Sequence, residues 1–191
     1  MSHPSADGHP NTDPSFEIVP VWRNVSPELI AELSGLWAQT GAIADPASAA
    51  TRGQQAVCIG RDANGAICAV GTAVIRTLPR LRQPMYFYRQ FFAPGFRGQR
   101  QTVPFFRRAC DILQAHEGQL AIPEALGVLV ELESALLAAR YVHACDPHSG
   151  TTFIGYSPRG LQLRVSYFDD ARLLAPAMPG RRREGGRSSR E

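Results

Sequence analysis

The chain has 191 residues, 44% of them hydrophobic, and a formal net charge of +3. That length and apolar content suit one buried core rather than two domains. The whole charge excess equals that of residues 176–191, which hold five Arg against two Glu, so the rest of the chain is balanced and offers no overall attraction to a polyanion.

All 20 basic residues are Arg, a bias read as genomic rather than functional. The four cysteines, at 58, 68, 110 and 145, have neither CxxC spacing nor a histidine at metal-ligand distance, so reduced, buried thiols and no metal site are expected. The sequence shows no charged-then-apolar leader and no apolar run near about 18 residues, which points to a soluble, cytoplasmic protein.

Residues 1–15 carry four Pro or Gly and no large apolar side chain after Met1, so a disordered tail is expected. Residues 16–22 alternate as a first strand, with Pro20 suited to an edge or an end. Ser26-Pro27-Glu28 is a helix start, with Leu29, Ile30, Leu33, Leu36 and Trp37 as the buried stripe and Gly41 as the stop. Asp45-Pro46 opens a second, two-turn helix that ends near Arg52-Gly53. Residues 55–61 and 66–77 are β-branched, apolar runs around Asp62-Ala63-Asn64-Gly65, where Asn64 and Gly65 are expected to supply positive φ angles for a hairpin.

Residues 85–116 organise the rest. An aromatic strand (85–93) meets a Gly/Arg turn (94–101), then a helical pattern with Phe105, Phe106, Ala109, Ile112 and Leu113 on one face. The first amides of that helix lack intrahelical partners and carry the positive end of its dipole, which suits a phosphate, and Arg97 and Arg100 add charge. Glu117-Gly118 ends the helix, and residues 126–133 form a buried strand, which implies a parallel crossover. A short helix over 134–141, strands over 151–156 and 161–168 around Ser157-Pro158-Arg159-Gly160, and a basic, disordered tail over 174–191 complete the chain.

Histidines 116, 143 and 148 share no spacing with an acid or cysteine that would make a zinc or Ser-His-Asp site. The aromatics of 86–92 read as core rather than as a base-stacking surface, and the Arg181-Arg182-Arg183 run as a solvated tail capable of weak nucleic-acid contacts only.

The order β, α, α, β, β, β, α, β, α, β, β, with Phe-Phe-Ala-Pro-Gly-Phe-Arg-Gly-Gln-Arg-Gln-Thr at the junction, resembles the GNAT superfamily of N-acetyltransferases over residues 16–173. The resemblance implies an α/β (α+β) fold with a mixed central sheet of about seven strands and flanking helices. It implies acetyl-CoA or another acyl-CoA as cosubstrate, no metal, and transfer to a primary amine on a small molecule or peptide. No membrane partner is implied, and the assembly state stays open, a homodimer included.

In that family the loop has the form Arg/Gln-x-x-Gly-x-Gly/Ala. Arg97 matches its first position, while Arg100 and Thr102 stand where the two glycines belong, and Pro104 removes an amide from the first helical turn. The resemblance assigns pyrophosphate contacts to Arg97, Gly98, Gln99, Arg100, Gln101 and Thr102, and the pantetheine arm to the backbone of Phe91, Phe92 and Ala93, beside Gln90.

The fourth strand carries Arg89 and Gln90 but no carboxylate. Glu131 and Glu133, two apart and so on one face of the fifth strand, are the candidate general bases. They are set against a plainer reading in which one pairs with Arg89 and the other faces water. If both were ionised and close, repulsion would raise one pKa. Tyr141, seven residues after Ser134, matches the family's acid for the leaving thiolate, with Ser134, a candidate cofactor contact, in place of an Asn, and a structural tyrosine is equally compatible. The competing function is a GNAT-fold protein that binds CoA, another small ligand or a partner chain without catalysis.

Overall fold

The computed structural model describes residues 16–97 and 100–175. The expected tails at 1–15 and 176–191, with the Arg181-Arg182-Arg183 run, lie outside the described residues, as do Gly98 and Gln99.

Among the described residues, eight strands form one mixed sheet in the order β1-β2-β3-β4-β5-β8-β7-β6. Strand β1 (Glu17–Pro20) is an edge strand ending on its proline, where a missing N–H costs no ladder bond. Helix α1 (Pro27–Thr40) starts on Ser26, whose hydroxyl accepts from the Leu29 amide, and stops at Gly41, left-handed at φ 67°. Helix α2 (Pro46–Gly53) starts on Asp45, whose carboxylate accepts from the Ser48 amide at 2.8 Å. Strands β2 (Ala56–Arg61) and β3 (Ile67–Thr77) form the expected hairpin. Only Gly65 takes a positive φ there; Asn64 does not. The Asp62 carboxylate accepts from the amides of Asn64 and Ala66 and sets the turn itself, leaving one left-handed residue to close it.

Strand β4 (Pro84–Phe92) pairs with β3 along its length, a short 3₁₀ turn covers Pro94–Phe96, and α3 (Thr102–Glu117) follows. Strand β5 (Gly127–Glu131) is parallel to β4 and ends two residues earlier than expected, so Glu133 stands beyond it. Helix α4 (Ala135–Ala138) is one turn, shorter than the expected 134–141, and Tyr141 follows it in the loop. Strands β6 (Cys145–Asp146), β7 (Thr151–Tyr156) and β8 (Gln162–Tyr167) complete the sheet, β8 pairing antiparallel with β5. The two-residue β6 brings the expected count of about seven to eight.

Side chains alternate across β4 and so serve different cores. Tyr86 and Tyr88 pack with Phe105, Phe106, Ala109 and Leu113 of α3 on one face. Leu33 and Trp37 of α1, at 0% and 2% exposure, pack on the other against Ile59 and Val70; each such side chain contributes about 1.5–3 kcal/mol on burial. Leu174, inside the expected tail, exchanges both backbone bonds with the Gln83 side chain. All four cysteines are free, but of the four expected to be buried only Cys58 and Cys68 are; Cys110 is half-buried, and Cys145 is exposed because it lies on the short outer strand. Among the described residues, no helix is long and apolar enough to cross a membrane, and no group of His, Cys, Asp and Glu could hold a metal ion.

Candidate active site

The parallel pair at the sheet centre is short. β4 and β5 are in register only at Tyr86↔Val128, Phe87↔Leu129 and Tyr88↔Val130. Beyond that point β4 stays with β3 as far as Ala69↔Phe92, while β5 follows β8 to Glu131↔Leu163 and Leu132 donates to the Gln162 carbonyl. The two strands therefore part. The Ala93 amide bonds back to Cys68 on β3, and backbone groups alternate in direction along a strand, so Gln90 and Phe92 turn theirs toward the gap. A cleft of about 180 Å³ fills it, with Tyr88, Gln90, Thr102, Glu131, Glu133 and Tyr141 among its walls.

Helix α3 begins at the end of this cleft. Its N-cap, Gln101, makes no side-chain capping bond, and the amides of Thr102 and Val103, as the first in the helix, have no intrahelical partner. Gln90 Nε2 donates to the Thr102 carbonyl at 3.3 Å and receives at Oε1 from the Tyr88 hydroxyl at 3.2 Å, which ties strand to helix start. Arg100 is left-handed at φ 56°, so the chain adopts at this position a turn that glycine would make without strain. The Arg97 side chain folds back instead: its Nε donates to the Phe92 carbonyl at 3.0 Å and its guanidinium lies 5.5 Å from the Phe91 ring centroid. Phe91 and Phe92 commit their rings to the two cores. The backbones of Phe91 and Ala93 turn to β3 rather than to the expected pantetheine arm, and with its carbonyl taken by Arg97, Phe92 has its amide left for a ligand.

The expected pairing of a glutamate with Arg89 is replaced by another. Arg159, from the β7–β8 turn, donates to Glu131 Oε2 at 2.6 Å and to Glu133 Oε1 at 2.9 Å. Repulsion does not raise the Glu131 pKa: hydrogen bonding from Arg159 outweighs burial and holds it below the ordinary glutamate range. The Ser134 hydroxyl caps α4 by accepting from the Leu137 amide at 3.3 Å. Tyr141 lines the cleft with the Arg164 guanidinium 5.1 Å from its ring centroid.

Arg159 and Arg164 were missed in the sequence. Arg164 is 1% exposed and has no acid partner within ion-pair distance among the described residues. It donates instead to the carbonyls of His143 and Ala144 and to the Thr151 hydroxyl, and so holds the loop after Tyr141 against β8. The available signal was a charge inside the alternating run Gln162-Leu163-Arg164-Val165. Arg159 had no such signal, being one polar residue of a turn.

A mixed sheet whose parallel pair splays ahead of an uncapped helix start is the GNAT acetyltransferase fold, and this chain has it. An acetyltransferase of GNAT family from Streptococcus pneumoniae matches at a TM-score of 0.50 and 10% identity, over 81% of this chain and 100% of that one. A GNAT family acetyltransferase from Listeria monocytogenes 4b F2365 matches at 0.46 and 14%, over 80% and 95%. A possible acetyltransferase from Clostridium difficile 630 matches at 0.39 and 10%, over 69% and 92%. No family model matches the chain, and no curated protein matches it in sequence. At these identities the likeness is one of fold.

Proposed function

We propose that the chain is an acyl-CoA-dependent N-acyltransferase, acetyl being the reference acyl group, that acts on a primary amine by direct attack. The observation that carries this reading is the β4–β5 gap ending at the start of α3. The backbone groups of Gln90 and the amide of Phe92, facing that gap, suit the amide-bearing pantetheine arm, as an added strand would. The first amides of α3, with Arg100, suit a pyrophosphate.

Bound acyl-CoA supplies an activated thioester. Glu133 takes the proton from the acceptor ammonium, freeing its lone pair to attack the thioester carbonyl carbon. The C–S bond breaks as the C–N bond forms, Tyr141 donates its hydroxyl proton to the departing thiolate, and the second proton shed by the new amide nitrogen returns to the tyrosinate. Glu131 serves to hold Arg159, which fixes the end of β5 and the β7–β8 turn beside the cleft. The Ser134 cap positions the loop that carries Tyr141.

A second reading, a CoA-binding protein without catalysis, is favoured by one observation: Arg159 occupies both carboxylates. Free thiol released from acetyl-CoA over a panel of primary amines separates the two. Amine-dependent release supports transfer, and binding of acetyl-CoA with no release above the amine-free rate supports the second reading.

A further inference from the structure

On the face of β4 opposite α3, a second cavity of about 370 Å³ opens between α2 and the sheet. The β3–β4 register places Thr72 opposite Arg89 and Val74 opposite Phe87, so Arg76, Phe87 and Arg89 share this face, and Arg52 comes down from α2. Three guanidinium groups thus line one hollow. Among the described residues, none of them has a carboxylate within ion-pair distance.

Two acids are near. Asp45 lines the cavity, but its Oδ2 accepts from the Ser48 amide and hydroxyl at 2.8 and 2.6 Å and so serves as the cap of α2. Glu133 acts on Arg52 from farther away. The cavity is therefore cationic on balance. Arg76 and Arg89 each hold their guanidinium carbon 4.9 Å from the Phe87 ring centroid, so one ring braces both. The Arg89 Nε–H is buried with no hydrogen-bond partner. The Arg89 guanidinium is thus short of acceptors, a cost that an oxyanion in the cavity beside it would offset. Burial, Arg89 and Arg76 all work to lower the Arg52 pKa, the mark of like charges gathered without a counter-ion.

Arg89 also lines the cleft between β4 and β5, so the two cavities adjoin at its side chain. We infer that Arg52, Arg76 and Arg89 bind an oxyanion of the acceptor, a carboxylate or a phosphate, so that the substrate is an amine carrying such a group. This rests on the acyl-transfer reading above. An oxyanion held there leaves the amine at the Arg89 boundary, beside Glu133, facing the thioester.

Two arms test the inference, and the first needs no turnover. Thermal unfolding of the full chain is followed while sodium malonate or sodium phosphate replaces chloride at constant ionic strength. A saturable rise in Tm is expected with at least one of them, abolished in Arg52→Gln and Arg76→Gln, restored in Arg76→Lys and retained in Arg100→Ala. Arg76 is exposed, so its substitution leaves the fold intact. No rise in the parent, or a rise unchanged in both glutamine variants, overturns the inference.

The second arm compares β-alanine with propylamine and O-phosphoethanolamine with ethanolamine in thiol release from acetyl-CoA. The anionic member of at least one pair should be favoured about tenfold in kcat/KM, the scale of one charge-assisted hydrogen bond. That preference should fall in Arg76→Gln through KM. Equal turnover within both pairs overturns the inference while leaving acyl transfer standing. Absence of turnover with every amine removes the acyl-transfer reading instead, and the malonate and phosphate arm still decides the site.

Discussion

Arg159 and Glu131 stand 28 residues apart in the chain and meet through two contacts, Nη2 to Oε2 at 2.6 Å and Nε to Oε1 at 3.4 Å. Glu131 ends β5 and Arg159 sits in the β7–β8 turn, so this pair closes the sheet at the mouth of the cleft.

The pair makes stability pH-dependent. Because the folded pKa of Glu131 is depressed, chiefly by the Arg159 hydrogen bond, its contribution is full above the unfolded value of about 4.3 and is lost as pH falls through the lower folded value. Arg159→Ala should therefore be less stable than the parent at neutral pH. The difference should shrink toward zero as the pH is taken below that window. Denaturant unfolding at matched ionic strength across the range reads both.

Glu133 and Glu131 are assigned different work, and their amide variants should separate them. Glu133→Gln is expected to lower kcat by about a hundredfold or more, the scale of a lost general base. Glu131→Gln should lose less than that, since Arg159 retains its bond to Glu133. Tyr141→Phe should lower kcat with little change in KM. Equal losses in the two glutamine variants would refute the division of roles.

Arg100 is left-handed in a position where the resemblance asks for glycine. Arg100→Gly removes a backbone cost of about 1–2 kcal/mol along with the guanidinium, while Arg100→Ala removes only the guanidinium. Both should weaken acetyl-CoA about tenfold if the side chain grips phosphate. Only Arg100→Gly should gain thermal stability. Titration calorimetry with acetyl-CoA and thermal unfolding of each variant check the pair.

Much of the fold was legible because its signals are local. Ser26 and Asp45 cap their helices where the sequence puts them, Gly41 stops the first helix as expected, and Gly65 adopts the positive φ expected of it. The site was less legible because its geometry is made by strands distant in sequence. Where β4 and β5 part depends on β8 drawing β5 away, and no window around residues 85–93 contains that information. The partner of Glu131 was missed for the same reason. Asn64-Gly65 misled at one position because the Asp62 side chain supplied the turn bonds.

The far end of β4 carries a polar cluster that stabilises without touching the cleft. The Tyr86 hydroxyl lies 2.7 Å from Glu117 Oε1 and 2.6 Å from Glu124 Oε1. Tyr86→Phe keeps the ring and leaves those oxygens short of a donor, at a cost of about 1–3 kcal/mol. Denaturant unfolding should show that loss with acetyl-CoA affinity unchanged.

Gly71 makes the opposite case. A Cβ there would meet the Tyr88 hydroxyl and come within 2.8 Å of the ring, and Tyr88 is the donor that sets Gln90 in the cleft. Gly71→Ala should cost about 1–3 kcal/mol in strain and also weaken acetyl-CoA binding, which Tyr86→Phe should not. Paired unfolding and binding measurements distinguish the two.

The central claim is that the β4–β5 gap and the start of α3 together hold an acyl-CoA. Titration calorimetry of the full chain with acetyl-CoA tests it most directly. One site is predicted, with a Kd between about 1 μM and 1 mM, the range in which enzymes commonly hold their substrates, and with weaker binding in Arg100→Ala. No saturable heat at millimolar acetyl-CoA would contradict it.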